Sequence, residues 1–221
     1  VSVLQTLFDA ELHIGDATIL WREIIGNSFG IASAIGGMRR VVWAWPVGII
    51  GNALLFTVFM GALFYTPQDL NLYGQAGRQL LFITVSVYGW TRWVQSRHDS
   101  GKAVLPHWAS TRQRIAMVTT MVMGTVVFAQ VFGMLGSYGR WAEAWIFTGS
   151  ILATYGMARG WTEFWIIWIA VDVVGVPLLL KAGFYPSAIL YLLYAGFVVW
   201  GFAVWLQIQR RSTAESVVTA A

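Results

Sequence analysis

Seven runs of apolar residues, each closed by charge, proline or turn-forming residues, divide the chain. The first covers about Ile24–Met38 and ends at Arg39–Arg40. The second covers about Val41–Tyr65 and holds Pro46 and Asn52, and the third covers about Leu72–Val94. A polar stretch, Gln95–Arg114, follows, with Arg97, Lys102, Pro106, Arg112 and Arg114. The remaining runs are Ile115–Leu135, Trp141–Met157, Glu163–Leu180 and Pro186–Ile208. Runs near or above ~18 apolar residues predict α-helices that cross a bilayer. Thr66-Pro67-Gln68-Asp69 reads as a turn. Residues 1–20 read as an exposed, acidic lead-in: Asp9, Glu11 and Asp16 stand where a cleaved signal would carry basic residues.

Composition agrees. The 221 residues are 57% hydrophobic and only 11% charged, whereas soluble domains carry roughly 25% charged residues. The chain is expected to be an all-α integral membrane protein with seven transmembrane helices. Its 13 Trp and 23 Gly suit interfacial belts and close helix contacts. The absence of Cys excludes disulfides, thiolate metal sites and cysteine nucleophiles.

The net charge of +4 changes this picture only through its distribution. Alternating spans put Arg22, Arg78, Arg140 and Lys181 on one side. Arg39, Arg40, Arg92, Arg97, Lys102, Arg112, Arg114, Arg159, Arg210 and Arg211 fall on the other, four against ten. The positive-inside rule then places the N-terminus outside and the C-terminus inside, and accounts for the basic residues without nucleic acid. A multi-pass protein of the bacterial inner membrane is expected.

Two spans share a pattern. Gly37-Met38 precedes Trp45 and Asn52 much as Gly156-Met157 precedes Trp165 and Asp172, and each Trp stands at i with its polar partner at i+7. The third and seventh spans end alike, in Trp93-Val-Gln and Trp205-Leu-Gln. Two three-helix units joined by the fourth helix would face the same way, a 3+1+3 parallel repeat with its site between the halves. The expected organisation is a lead-in at 1–23, a first unit at 24–95, a basic loop and linker helix at 96–137, a second unit at 138–209 and a tail at 210–221.

Within the repeat, the sixth span is the most informative. Trp165, Trp168 and Asp172 fall at i, i+3 and i+7, within about 60° on one helix face. The first half has Gly48 opposite Trp168 and Asn52 opposite Asp172. One half thus offers stacking surface and a charge, the other room and a neutral amide. Pro177 removes a backbone bond to Val173 beside Asp172, and Gly175 softens the same turn. An acid at mid-span is costly in lipid and points to a site.

The segments WIIWIAVD, LLLKAGFYPSAILY, WAWPVGIIGNALL and YGWTRW resemble the PnuC family of vitamin transporters, over about Phe29–Gln207. The resemblance implies a fold similar to the SWEET sugar transporters, a homotrimer, and facilitated diffusion of nicotinamide riboside with trapping by a cytoplasmic kinase. Riboflavin, thiamine and deoxynucleosides are further substrates it implies. The family's WxxW motif matches Trp165 and Trp168, and its Gln ahead of YGW matches Gln79. The chain departs from the pattern at Val176-Pro177-Leu178, where many members have a Tyr, and at Ala182, where Gly is common.

Nicotinamide riboside carries a pyridinium cation, which gains roughly 0.5–2 kcal/mol from stacking on an indole. Trp165 and Trp168 would form two walls of such a slot, Asp172 would balance the cation or accept from ribose, and Gln79 and Asn52 would read amide or hydroxyl groups. Other readings stand beside these. The two Trp also suit helix packing or an interfacial belt, Asp172 a structural acid, and Asn52 an interhelical hydrogen bond. Tyr191 and Tyr194 line the pathway or pack in the core. Trp90 and Trp93 read as belt residues, Lys181 as a snorkelling span end and Glu163 as a helix N-terminal acid.

An enzyme is not expected: His13, His98 and His107 lie outside the spans and Asp172 has no second central acid. No cofactor and no metal are expected. The partners are a small-molecule vitamin, the lipid bilayer and further copies of the chain. A proton-coupled transporter using Asp172 is the alternative mechanism.

Overall fold

Helix formation follows the apolar runs closely. In the computed structural model, which describes residues 8–38, 42–95, 107–159 and 161–219, seven helices appear in order. They are α1 (Trp21–Met38), α2 (Ala44–Phe59), α3 (Tyr73–Gln95), α4 (Thr111–Met134), α5 (Arg140–Arg159), α6 (Glu163–Lys181) and α7 (Tyr185–Thr219). Among them α4, α6 and Tyr185–Gln207 of α7 are long and apolar enough to cross a membrane by themselves, and α2 is a shorter apolar helix. Together they define a helical membrane protein.

Three expectations are corrected. The lead-in, expected to be exposed, is partly buried: β1 (Glu11–Ile14) and β2 (Ala17–Leu20) form an antiparallel hairpin that buries Ile19 and Leu20 and turns at Gly15, whose φ of 59° lies in the left-handed region. The second span ends at Phe59 rather than Tyr65, because the chain leaves the helix at Met60, bridges to Asn71 and turns back through Tyr65. The last helix runs past Ile208 to Thr219. The basic loop with Arg97 and Lys102, and the pair Arg39–Arg40, lie outside the described residues.

The start of α4 shows why its boundary falls before Ile115. Ser110 and Gln113 make a reciprocal capping box, Gln113 amide to Ser110 Oγ and Ser110 amide to Gln113 Oε1. Two orphan amides of the first turn are thereby satisfied. Beside the cap, Glu163 at the first turn of α6 accepts from the amide of Ala109 and pairs with Arg114 at 2.7 Å.

Along the chain, α1 packs on α2 and α2 on α3; α4 packs on α5, α5 on α6 and α6 on α7. Two further interfaces join distant helices, α3 with α5 and α1 with α7. The central apolar core collects Leu55, Val58 and Phe59 of α2, Val171, Leu178 and Leu179 of α6, and Phe184 and Tyr191. Most of α4 lies outside it: Val118, Val122, Met123 and Val127 are exposed apolar residues, which suits contact with lipid.

Each of the two distant interfaces is fixed by one buried glutamate. Glu23 of α1 accepts from the amide and the hydroxyl of Ser187, in the first turn of α7, at 3.1 and 2.7 Å. Glu143 of α5 accepts from the amides of Gly74 and Gln75, in the first turn of α3, at 2.8 and 3.2 Å. Ser137 also donates its hydroxyl to Glu143. In each case a carboxylate meets the amides that a helix N-terminus leaves without partners, where the helix dipole favours negative charge.

Two tryptophans are seated in a matching way. Trp45 of α2 lies against Gly89 of α3, and Trp165 of α6 lies against Gly201 of α7. A Cβ at either glycine would run into the indole six-membered ring. Glycine is required at both positions for this close approach.

Candidate functional site

The buried face of α6 carries Val171, Asp172 and Gly175, with Trp168 half-buried one turn earlier. Across from it α3 presents Gln75, Arg78, Gln79 and Phe82, spaced so that they share one helical face. Gln75, Arg78 and Gln79 are all buried. From α7, Tyr191 completes the group. Its ring reaches α6 because Gly175 has no side chain there.

The contacts centre on Tyr191. Its hydroxyl donates to Oε1 of Gln75 at 3.0 Å. The guanidinium of Arg78 lies 4.7 Å from the centre of its ring and 5.5 Å from that of Phe82. Phe82 in turn faces Trp168, with ring centres 6.2 Å apart and planes inclined at 42°. Asp172 lies within the electrostatic reach of Arg78, yet the two form no ion pair among those of the described residues.

Three buried polar atoms in this group have no partner among the described residues: Nε of Arg78, Nε2 of Gln75 and Oδ2 of Asp172. Leaving a buried polar atom unpaired costs about 1–3 kcal/mol, and more for a charged group. Two buried donors and one buried acceptor left open on facing helices, with Phe82 and Trp168 nearby, suit a flat polar molecule better than they suit packing.

The residues singled out from sequence are placed unequally. Trp168, Asp172, Gln79 and Tyr191 stand on the facing helices just described. Trp165 is one turn away in an aromatic cluster with Phe164 and Trp205, at 4.3 and 5.9 Å between ring centres, and its Nε1 is buried without a partner among the described residues. Tyr194 is half-buried with its hydroxyl beside Gly30 of α1. Asn52 turns its amide onto the carbonyl of Gly48 in its own helix, at 2.8 Å. Arg78, counted above among the charges by side of the membrane, is only 7% exposed, in the second turn of α3.

Gln75, Arg78 and Phe82 were missed. The signal was present, since Gln75, Arg78 or Gln79, and Phe82 follow the i, i+3/i+4, i+7 spacing of one face, and an arginine in the second turn of a span is costly in lipid unless it faces the bundle interior.

Comparison with known proteins gives this arrangement its setting. Residues 20–207 match the family described as nicotinamide mononucleotide transporter. The chain is 35% identical over 201 residues to the riboflavin/roseoflavin transporter RibM of Streptomyces davaonensis, covering 90% of each. It is 24% identical to the nicotinamide riboside transporter PnuC of Neisseria mucosa, over 83% of this chain and 73% of that one. It is 20% identical to PnuC of Escherichia coli, over 95% of each. The crystal structure of the vitamin B3 transporter PnuC superposes with a TM-score of 0.63 at 23% identity, covering 86% of this chain and 83% of that one. The chain belongs to this family of PnuC-type vitamin transporters.

Proposed function

We propose that the protein carries a neutral, flat, heteroaromatic vitamin of the flavin class, riboflavin, across the membrane through the space between α3, α6 and α7. The observation that carries this reading is the buried Arg78 on α3, which reaches the ring of Tyr191 where that ring meets the Asp172 face of α6. With Asp172 as the lone central charge, a pyridinium nucleoside is the natural guest. With Arg78 present the local charge is balanced, and a fixed cation gains little from Asp172 while being repelled by the guanidinium. An isoalloxazine, uncharged at neutral pH, stacks on indole or phenyl surface without either effect. The 35% identity to a riboflavin/roseoflavin transporter supports the same choice over nicotinamide riboside.

Trp168 and Phe82 supply the stacking surface in this reading, and Trp165 flanks it on the side toward Trp205. Gln79 and Tyr194 contact the substrate, and Asn52 borders the path from the first half. Nicotinamide riboside is the second reading, favoured by the open Oδ2 of Asp172 and by the PnuC relatives.

The architecture we propose is the 3+1+3 parallel repeat, similar to the SWEET transporters. The paired contacts Trp45–Gly89 and Trp165–Gly201, and the paired glutamates Glu23 and Glu143, support it. The chain would sit in the inner membrane as a homotrimer, N-terminus outside. Arg140 and Lys181 remain as the exposed basic flank of the outer side, since Arg22 is buried and donates to the carbonyl of Phe64. Transport would be facilitated diffusion, with phosphorylation by a cytoplasmic kinase retaining the product. Proteoliposome uptake of riboflavin and nicotinamide riboside, with and without proton or sodium gradients, tests the substrate and the absence of coupling. Equilibration of riboflavin independent of any gradient supports the reading. Accumulation driven by a proton gradient refutes facilitated diffusion, and uptake of nicotinamide riboside alone refutes the flavin.

A further inference from the structure

Resting on the flavin reading, we propose that Arg78, Asp172 and Gln75 together recognise the imide edge of the isoalloxazine, making them the residues that set specificity within the site. That edge presents carbonyl, N–H and carbonyl in a row: acceptor, donor, acceptor. The protein holds open the group types that such an edge needs, two donors, Arg78 Nε and Gln75 Nε2, and one acceptor, Asp172 Oδ2.

The three side chains are held for this by their surroundings. Gln75 cannot rotate its amide freely, because its Oε1 already accepts from the hydroxyl of Tyr191 at 3.0 Å, which leaves Nε2 as the open atom. Arg78 lies near the rings of Tyr191 and Phe82, so its planar group is oriented by aromatic faces rather than by a carboxylate. Asp172 stands on the face of α6 that packs against the core, next to the fully buried Val171. Each of the three is more than nine-tenths buried. None of their open atoms can turn to bulk water, so a ligand lacking the matching groups leaves them unpaired.

Discrimination by an unpaired buried group is steep, because a site built to hydrogen-bond a donor rejects the analogue without it far more strongly than an apolar pocket rejects an extra methyl. The same rule excludes nicotinamide riboside from this part of the site: its carboxamide offers one acceptor and one donor group, and no second carbonyl across an N–H.

The test is equilibrium binding to the full-length purified protein, read by tryptophan quenching, with riboflavin, 3-methylriboflavin and nicotinamide riboside. Methylation at N3 removes only the central donor. The expected result is tenfold or weaker binding of 3-methylriboflavin than of riboflavin to the unaltered chain. In Asp172→Ala, riboflavin binding weakens and the penalty for the methyl group disappears, because the acceptor that read N3–H is gone. Equal binding of riboflavin and 3-methylriboflavin to the unaltered protein overturns the inference while leaving the flavin reading intact, and needs no variant to fold. A penalty that persists in Asp172→Ala also overturns it. Binding of nicotinamide riboside with none of riboflavin overturns both.

Discussion

Glu23 and Ser187 are joined at both the amide and the hydroxyl of the serine, so that the start of the first helix holds the start of the last. Asn27 adds a third strut, donating its amide to the same serine hydroxyl at 3.1 Å. Glu143 does the corresponding work for the third helix, from the fifth.

Removing either carboxylate leaves buried amides without acceptors. Glu143→Ala strands the amides of Gly74 and Gln75, while the hydroxyl of Ser137 keeps the carbonyl of Asn71 as an acceptor, an expected loss of about 2–5 kcal/mol at 1–3 kcal/mol per stranded amide with partial relaxation. Glu143→Gln keeps one acceptor oxygen and loses less. Thermal unfolding of the detergent-solubilised protein checks the order: unaltered, then Gln, then Ala. An alanine variant as stable as the parent contradicts the capping role.

Gly89→Ala drives a methyl into the indole of Trp45. Overpacking of this kind costs about 1–3 kcal/mol. Pairing it with Trp45→Leu is expected to restore part of the loss, and a double variant no more stable than Gly89→Ala shows that the clash is not the cause. Gly201→Ala against Trp165 carries the same expectation for stability.

Arg78→Gln removes the charge but keeps hydrogen-bonding capacity. In competition uptake the ratio of nicotinamide riboside to riboflavin transported is expected to rise about tenfold, since losing the guanidinium removes roughly 1.4 kcal/mol or more of repulsion toward a cation. An unchanged ratio argues that Arg78 takes no part in selection.

Arg114 and Glu163 look like one ion pair but carry unequal weight. Arg114 is half exposed, so Arg114→Ala is expected to change stability by less than about 1 kcal/mol. Glu163 is largely buried and also accepts from the amide of Ala109, so Glu163→Ala is expected to cost more, about 1–3 kcal/mol. The two variants compared by thermal unfolding separate the exposed charge from the buried cap.

Helix positions were legible because lipid-facing and core-facing residues are both apolar, which makes a span an uninterrupted run. The same uniformity hid the ends: nothing in Met60–Tyr65 distinguishes it from helix by hydropathy, and Gly15 reveals a hairpin only once its strands pair. Asp172 was legible as an acid out of place. Arg78 broke the same rule but fitted a simpler use, the charge count, and so went unread. Trp165 illustrates the limit of spacing, since its place on the same face as Trp168 did not reveal that Gly201 and Trp205 claim its ring. The glutamate contacts join residues from opposite ends of the chain, and no local period reports such pairs. Only the repeat could have, because Glu23 stands as far ahead of Trp45 as Glu143 does of Trp165.

The two glutamate contacts share one end of the molecule, where Gln68 donates to Thr18 and Tyr138 reaches Asn71. A carboxylate gripping a helix terminus fixes a point but leaves the angle free. Two such points define a line, and any relative motion of the helices that preserves both contacts is a rotation about it. Like a book held at its spine, such a rotation would move the molecule little near that end and more at the other, where Thr162 meets His107 and Gln209.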